Sequence, residues 1–207
     1  MELEKEILSD LVVWSKYARF VPELNRRETW TELVTRNKEM HLRKFPQMTA
    51  LIERAYELVY AKKILPSMRS LQFGGKPIEV NNTRLFNCSY LSVDDYRAFS
   101  ETMFLLLCGT GVGFGITDKL LNRLPDLVNA KDKTGAVITY TVTDNIEGWG
   151  DSIEALLNCY FKNTAYSGRK IVFDYSKIRP KGAKLKTGGG KAPGYKGLKN
   201  CHFKVKL

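Results

Sequence analysis

Thr83-Arg-Leu-Phe-Asn-Cys-Ser-Tyr-Leu-Ser-Val93 decides how the chain is read. Its residues alternate in character and predict a β-strand, with Phe86, Cys88 and Tyr90 on one face and Asn87 and Ser89 on the other. The Gly74-Gly75-Lys76-Pro77 and Asn81-Asn82 clusters before it are turn chemistry. After it, Arg97 to Leu107 has helical spacing, with Phe99, Met103, Leu106 and Leu107 on the expected buried side. That helix runs into Cys108-Gly-Thr-Gly-Val-Gly-Phe-Gly115, whose alternate glycines would let a backbone or a ligand come close. Strand and helix in succession predict a mixed α/β chain.

Toward the N-terminus the pattern is helical from Leu3 to Lys63, with apolar sets Ile7/Leu11/Trp14, Trp30/Leu33/Val34 and Leu51/Ala55/Leu58/Val59. Three helices follow, with Pro22 and Pro46 at the joints and Pro66 at the exit from the third. Toward the C-terminus, Val137 to Thr143 is a second strand-like run. Asp144 and Glu147 then resemble a capping box for a helix bearing Ile153, Leu156, Leu157 and Tyr160. Arg179 to Gly194 is a basic, glycine-rich loop, and the sequence ends within a further helix or strand. No internal repeat is visible.

The chain has 207 residues, 43% apolar and 27% charged, as an ordinary soluble domain does. Met1 to Asp10 is acidic and amphipathic, unlike a secretory signal. The longest apolar run, Met103 to Ile116, is glycine-interrupted and shorter than the roughly 20 residues a membrane span needs. A cytoplasmic protein without a membrane partner is therefore expected. The net charge of +11 is concentrated at one end: Phe161 to Leu207 holds 13 Lys and Arg against the single acid Asp174. Such a segment suits nucleic acid, phosphorylated small molecules or an acidic partner surface, or is simply a solvated face.

Cys88, Cys108, Cys159 and Cys201 are widely spaced, with no Cys-x-x-Cys and only two histidines, so no metal site or disulfide framework is expected. The run Gly109 to Gly115 lacks the Gly-x-Gly-x-x-Gly spacing of a dinucleotide fingerprint and follows a helix. Gly188-Gly-Gly-Lys191 lacks the phosphate-binding loop pattern, yet a glycine-rich turn with lysines also makes an anion-binding concavity. Lone cysteines are ordinarily small buried hydrophobes, which suits Cys108 and Cys159. Taken alone, the residues describe a basic, phosphate-compatible α/β chain.

Several motifs in order go further. Leu65-Pro-Ser-Met-Arg-Ser70, Leu85-Phe-Asn-Cys-Ser-Tyr-Leu91, Leu107-Cys-Gly-Thr-Gly-Val-Gly-Phe114 and Ile178-Arg-Pro-Lys-Gly182 with Gly188-Gly-Gly together resemble the N-terminal part of a ribonucleotide reductase catalytic chain. Ser15-Lys-Tyr-Ala-Arg19, Arg26-Arg-Glu-Thr-Trp30 and Thr143-Asp-Asn-Ile-Glu-Gly-Trp149 bring the likeness nearest to the adenosylcobalamin-dependent class, especially its monomeric triphosphate-reducing members. The resemblance implies a helical N-terminal domain at residues 1–82. The first strands of a ten-stranded α/β barrel follow at 83–207, with an effector-region insertion near 117–172 that takes the place of a dimer interface.

It also implies roles. Cys88 becomes one of two reductant cysteines, and strand alternation points it into the barrel. Ser67 and Asn87 become substrate contacts, Ser67 at the phosphates. Asp95 becomes an effector-ribose ligand, with adjacent Asp94 as the competing equivalent, and Lys186 falls in a loop that contacts the effector. The implied cofactor is adenosylcobalamin, bound mainly outside this segment, and the implied effector is a nucleoside triphosphate.

The same resemblance places the radical-bearing cysteine, its asparagine and glutamate, the second reductant cysteine and a reloading cysteine pair beyond Leu207, and gives no preceding ATP-binding activity domain. The expectation is a chain inactive alone that needs a complementary C-terminal reductase fragment, a nucleotide substrate and a thioredoxin-like reductant. Alternatives are a catalytic fragment served by a separate metal-containing radical subunit, a non-catalytic protein whose basic tail holds RNA or DNA, and an inert remnant. Nucleic acid ranks below nucleotides because the tail's aromatics form no obvious stacking platform.

Overall fold

The computed structural model describes residues 2–185 and 190–206, so Lys186, Gly188 and Gly189 of the glycine-rich loop lie outside the described residues. The chain divides into two compact units, one built mainly from Met1–Phe86 and the other from Asn87–Lys184 with Lys191–Leu207.

The first unit is helical. α1 (Glu2–Val12) passes through a wide π turn into a short antiparallel pair, β1 (Phe20–Val21) and β2 (Arg26–Arg27). α2 (Trp30–Lys44), α3 (Thr49–Tyr60), α4 (Met68–Phe73) and α5 (Lys76–Val80) follow. Pro22 and Pro46 each open a 3-10 turn between elements, where a missing N–H and a fixed φ cost nothing. α2 begins where it does because Thr29 and Glu32 form a reciprocal capping box. The Glu32 carboxyl is lowered to about 2 by hydrogen bonds from Arg26 and then from the Thr29 backbone. Leu33, Val34, Tyr56, Val59 and Leu71 form the core, with Trp30 and Ile52 packed against it.

Beside that core Arg36 binds Glu28 at 2.7 Å and donates to the carbonyls of Gly74 (2.8 Å) and Leu71 (3.2 Å). Arg19 also donates to the Gly74 carbonyl at 2.8 Å. Two guanidinium groups thus satisfy the unpaired carbonyls at the C-terminus of α4. Burial, and secondarily the charge of Arg36, lowers Arg19 to about 10, opposed by Glu28.

The second unit holds two strand–helix–strand crossovers. In the first, β3 (Cys88–Ser92), α6 (Arg97–Leu107) and β4 (Gly111–Gly115) put the strands parallel, Cys88 opposite Gly111 and Tyr90 opposite Gly113. After the short α7 (Asp118–Leu121), β5 (Val137–Thr141), α8 (Ile146–Leu157) and β6 (Lys170–Asp174) repeat the arrangement, with Val137 opposite Lys170. α9 (Lys196–Val205) completes the described order. α6 packs directly on α8. Their backbones approach closely at Gly150, where a β-carbon would stand 3.2 Å from the Ser100 carbonyl oxygen. Ala155, Leu156, Cys159 and Ile171 form one core cluster and Val142, Ile178 and Leu198 another.

Four readings of the sequence need correction. Asn82–Leu85 is a 3-10 turn, because the Asn81 side chain accepts from Thr83 N, and the strand covers only Cys88–Ser92. The glycine run is itself a strand, β4, stabilised by its ladder to β3 rather than by propensity. Phe99 and Leu106 are exposed, whereas α6 buries its small residues Ala98 and Ser100. The cap of α8 is Asn145, which accepts from Gly148 N at 3.0 Å, while Asp144 pairs with Arg179 at 2.6 Å.

Candidate functional site

Cys88 opens β3 and is an exposed, free thiol. In a parallel pair, residues opposite one another share a face, so Cys88, Tyr90 and Ser92 lie with Gly111, Gly113 and Gly115. That face carries side chains on β3 and bare peptide on β4. A β-carbon at Gly111 would meet only the Asn87 carbonyl oxygen at 3.5 Å, and one at Gly113 only the Ser89 carbonyl oxygen at 3.8 Å. Both are ordinary contacts, so the chain's own packing does not require glycine at either place. Gly115 differs, since the Tyr90 ring lies across it and a β-carbon there would overlap the Tyr90 hydroxyl. The result is an uncovered lane of peptide with a thiol at one end and a phenol at the other.

Tyr90, 65% exposed, stands on the lane's own face, and Phe114, 63% exposed, stands on the opposite face of the same strand pair. A parallel pair is ordinarily covered on both faces, so such exposure marks a surface that meets something else. Chemically the arrangement offers an accessible nucleophile or reductant next to a floor that a flat ligand can approach closely.

The other sequence-derived residues are placed as follows. Asn87 immediately precedes Cys88, is exposed, and its carbonyl accepts from Gly111 N at 2.8 Å, which fixes the register at the thiol. Ser67 belongs to the first unit, exposed at the N-terminus of α4, where its carbonyl accepts from Leu71 N at 3.0 Å. Asp95 lies past the opposite end of β3 from Cys88, and its carboxylate accepts from Arg97 N at 2.8 Å at the start of α6. Asp94 is engaged differently, paired with Arg123 at 3.0 Å. The structure therefore brings Asn87 and Cys88 together and sets Asp95 a strand's length away. Lys186 lies outside the described residues. Sequence reasoning read the β4 glycines as a place of close approach without setting them beside Cys88, and it missed Tyr90 as a site residue. The signal was the period-two spacing of Gly111, Gly113 and Gly115, the period of a strand.

Cys108 and Cys159 are buried, and burial pushes the Cys159 thiol up. His202 is 1% exposed and stacks on Phe173 at 3.9 Å between ring centroids. Its Nε2 lies 2.9 Å from Ser152 Oγ and its Nδ1 2.8 Å from Tyr175 OH. Burial, aided by Lys206, lowers it to about 4. A Ser–His pair sealed from solvent is a structural network. Among the described residues no group of three or more His, Cys, Asp or Glu is placed to hold a metal ion, and no helix is long and apolar enough to cross a membrane.

Residues 118–206 match the family described as the insertion domain of B12-dependent ribonucleotide reductase. The chain is 28% identical to an adenosylcobalamin-dependent ribonucleoside-triphosphate reductase of Lactobacillus helveticus, over 91% of this chain and 34% of that protein. It is 32% identical to one of Euglena gracilis, over 74% of this chain and 21% of that protein. A probable enzyme of the same name from Dictyostelium discoideum is 28% identical over 97% of this chain and 30% of its own length. A crystal structure of a B12-dependent (class II) ribonucleotide reductase superposes with a TM-score of 0.81 at 24% identity, covering 94% of this chain and 36% of that one, which is a likeness of fold. The chain spans about a third or less of the length of these relatives.

Proposed function

From the premise that this chain resembles the adenosylcobalamin-dependent ribonucleotide reductases along nearly its whole length, we propose that it supplies the opening part of such an enzyme's catalytic site, with Cys88 as a reductant thiol. The observation that carries this reading is the exposed Cys88 thiol at the head of a parallel strand pair, beside open peptide at Gly111 and Gly113.

The chemistry balances with two thiols. Removing the ribose 2′-hydroxyl as water takes two electrons and two protons. Cys88 and a second cysteine elsewhere in the full enzyme supply them and end as a disulfide, which a thioredoxin-like protein returns to thiols. Adenosylcobalamin, when bound by the complete enzyme, would supply the radical that starts the reaction. The cofactor is proposed to bind mainly in the remainder of the larger protein; within this chain His202 is buried with both ring nitrogens engaged and so is not available as a ligand.

Ser67 and Asn87 are proposed to contact substrate, a ribonucleoside triphosphate. Asp95 and Lys186 are proposed to contact a nucleoside triphosphate effector. The two domains are proposed as 1–82 and 83–207, the second contributing the first strands of a ten-stranded barrel that a C-terminal part completes, in the cytoplasm.

The test is ribonucleotide reduction by this chain together with the polypeptide that completes it, with and without adenosylcobalamin. Cobalamin-dependent activity that Cys88→Ala abolishes supports the reading. Activity that ignores cobalamin but needs a metal-containing subunit moves the chain to that other class of reductase, and full activity in Cys88→Ala refutes the role of the thiol.

A further inference from the structure

The lane beside Cys88 has one closed end, and Tyr90 closes it. Cys88 and Tyr90 are two residues apart on β3 and share a face with the bare stretch Gly111 to Gly113, which at a rise of about 3.3 Å per residue is about 7 Å long. Beyond it the Tyr90 ring crosses Gly115, its Cζ standing 3.0 Å from where a β-carbon of that residue would be. Only Gly115 of the three is held to glycine by the chain's own atoms, and the atoms that hold it are those of Tyr90. Gly111 and Gly113 are exposed, with open space above them apart from backbone oxygens at van der Waals distance.

We propose that Tyr90 is a specificity-determining residue of the Cys88 site. Its ring is a wall that stops a ligand from sliding toward Gly115 and keeps a five-membered sugar over Gly111 and Gly113, against the thiol. The ring rather than the hydroxyl does this, because the exclusion is by shape. The sugar in this assignment rests on the function proposed above, whereas the wall rests on the geometry alone.

Two measurements on this chain separate them. In the first, Cys88 is alkylated with iodoacetamide and, in parallel, with a bulky aromatic maleimide, and the modified peptide is quantified by mass spectrometry. Tyr90→Ala is expected to raise the bulky-to-small rate ratio several-fold, Tyr90→Phe to leave it unchanged, and Gly113→Ala, whose β-carbon would meet only the Ser89 carbonyl oxygen at 3.8 Å, to lower it. An unchanged ratio in Tyr90→Ala with an unaltered circular dichroism spectrum overturns the proposal. In the second, a ribonucleoside triphosphate is added during iodoacetamide treatment. Slowing of Cys88 alkylation in wild type and Tyr90→Phe, but not in Tyr90→Ala, supports the sugar assignment. Equal slowing in all three overturns the wall as a determinant of ligand position. No slowing in wild type overturns the substrate reading itself, and with it the sugar assignment.

Discussion

His202 shows how far one residue's surroundings can set its chemistry. Its ring stacks on Phe173 of β6 and is hydrogen-bonded to Ser152 of α8 and to Tyr175 just past β6, and a charge there would be poorly solvated. With its native value lowered to about 4 against an ordinary value of 6.5, the unfolded chain takes up a proton over that interval and the native chain does not. The contribution of this group is therefore fully present above about pH 6.5 and is lost as pH falls toward 4, amounting to about 3 kcal/mol at most. Urea denaturation from pH 7 to 4 is expected to show this loss, and His202→Gln is expected to remove that part of the slope. The Glu28–Arg36 pair makes a second residue-scale prediction. Both side chains are largely buried, and Arg36 also serves the end of α4, so Glu28→Ala leaves a cation without its counter-charge. A destabilisation of about 3 kcal/mol is expected in the same denaturation assay.

Caps and crossings decide whether the elements hold. Thr29→Ala removes half of the capping box of α2 and is expected to cost about 1 kcal/mol, read as a lower denaturation midpoint with unchanged slope. Gly150→Val places two methyl groups into the approach of α8 on α6, where even a β-carbon stands 3.2 Å from the Ser100 carbonyl oxygen. Overpacking there is expected to cost about 2 kcal/mol, again by denaturation. These elements were unequally legible in the sequence. Arg97 to Leu107 reads correctly at both ends, because a helical apolar set is followed by Cys108 and then Gly109, yet its buried side is set by how closely α8 approaches and not by hydrophobicity. β4 was invisible as a strand because glycine has no strand preference of its own. β6 was missed too, having a charge at each end of a short run. The site shows the same division. Cys88 on a strand was readable from alternation, but the lane beside it depends on the pairing of Cys88 with Gly111, a register no local pattern encodes.

At the scale of the whole molecule, each crossover presents two parallel strands with an exposed apolar residue or more: Phe114 on one pair, Val137 and Val172 on the other. An environment-sensitive dye such as anilinonaphthalene sulfonate is expected to bind this chain, and adding the polypeptide that completes the proposed reductase is expected to displace it. Dye binding that persists in an active, reconstituted enzyme would count against the proposed barrel. The charge distribution acts at this scale as well. With 13 bases against one acid after Tyr160, attraction for triphosphates should weaken as salt rises.

The two parallel pairs have a kinetic side. Each pair joins strands separated in sequence by little more than a single helix and its loops, so the entropy of closing them is small and their contacts are among the most local a parallel sheet allows. During synthesis the chain from Cys88 to Gly115 can therefore settle while later residues are still being added, and Cys88 takes its place beside Gly111 without waiting for any distant partner.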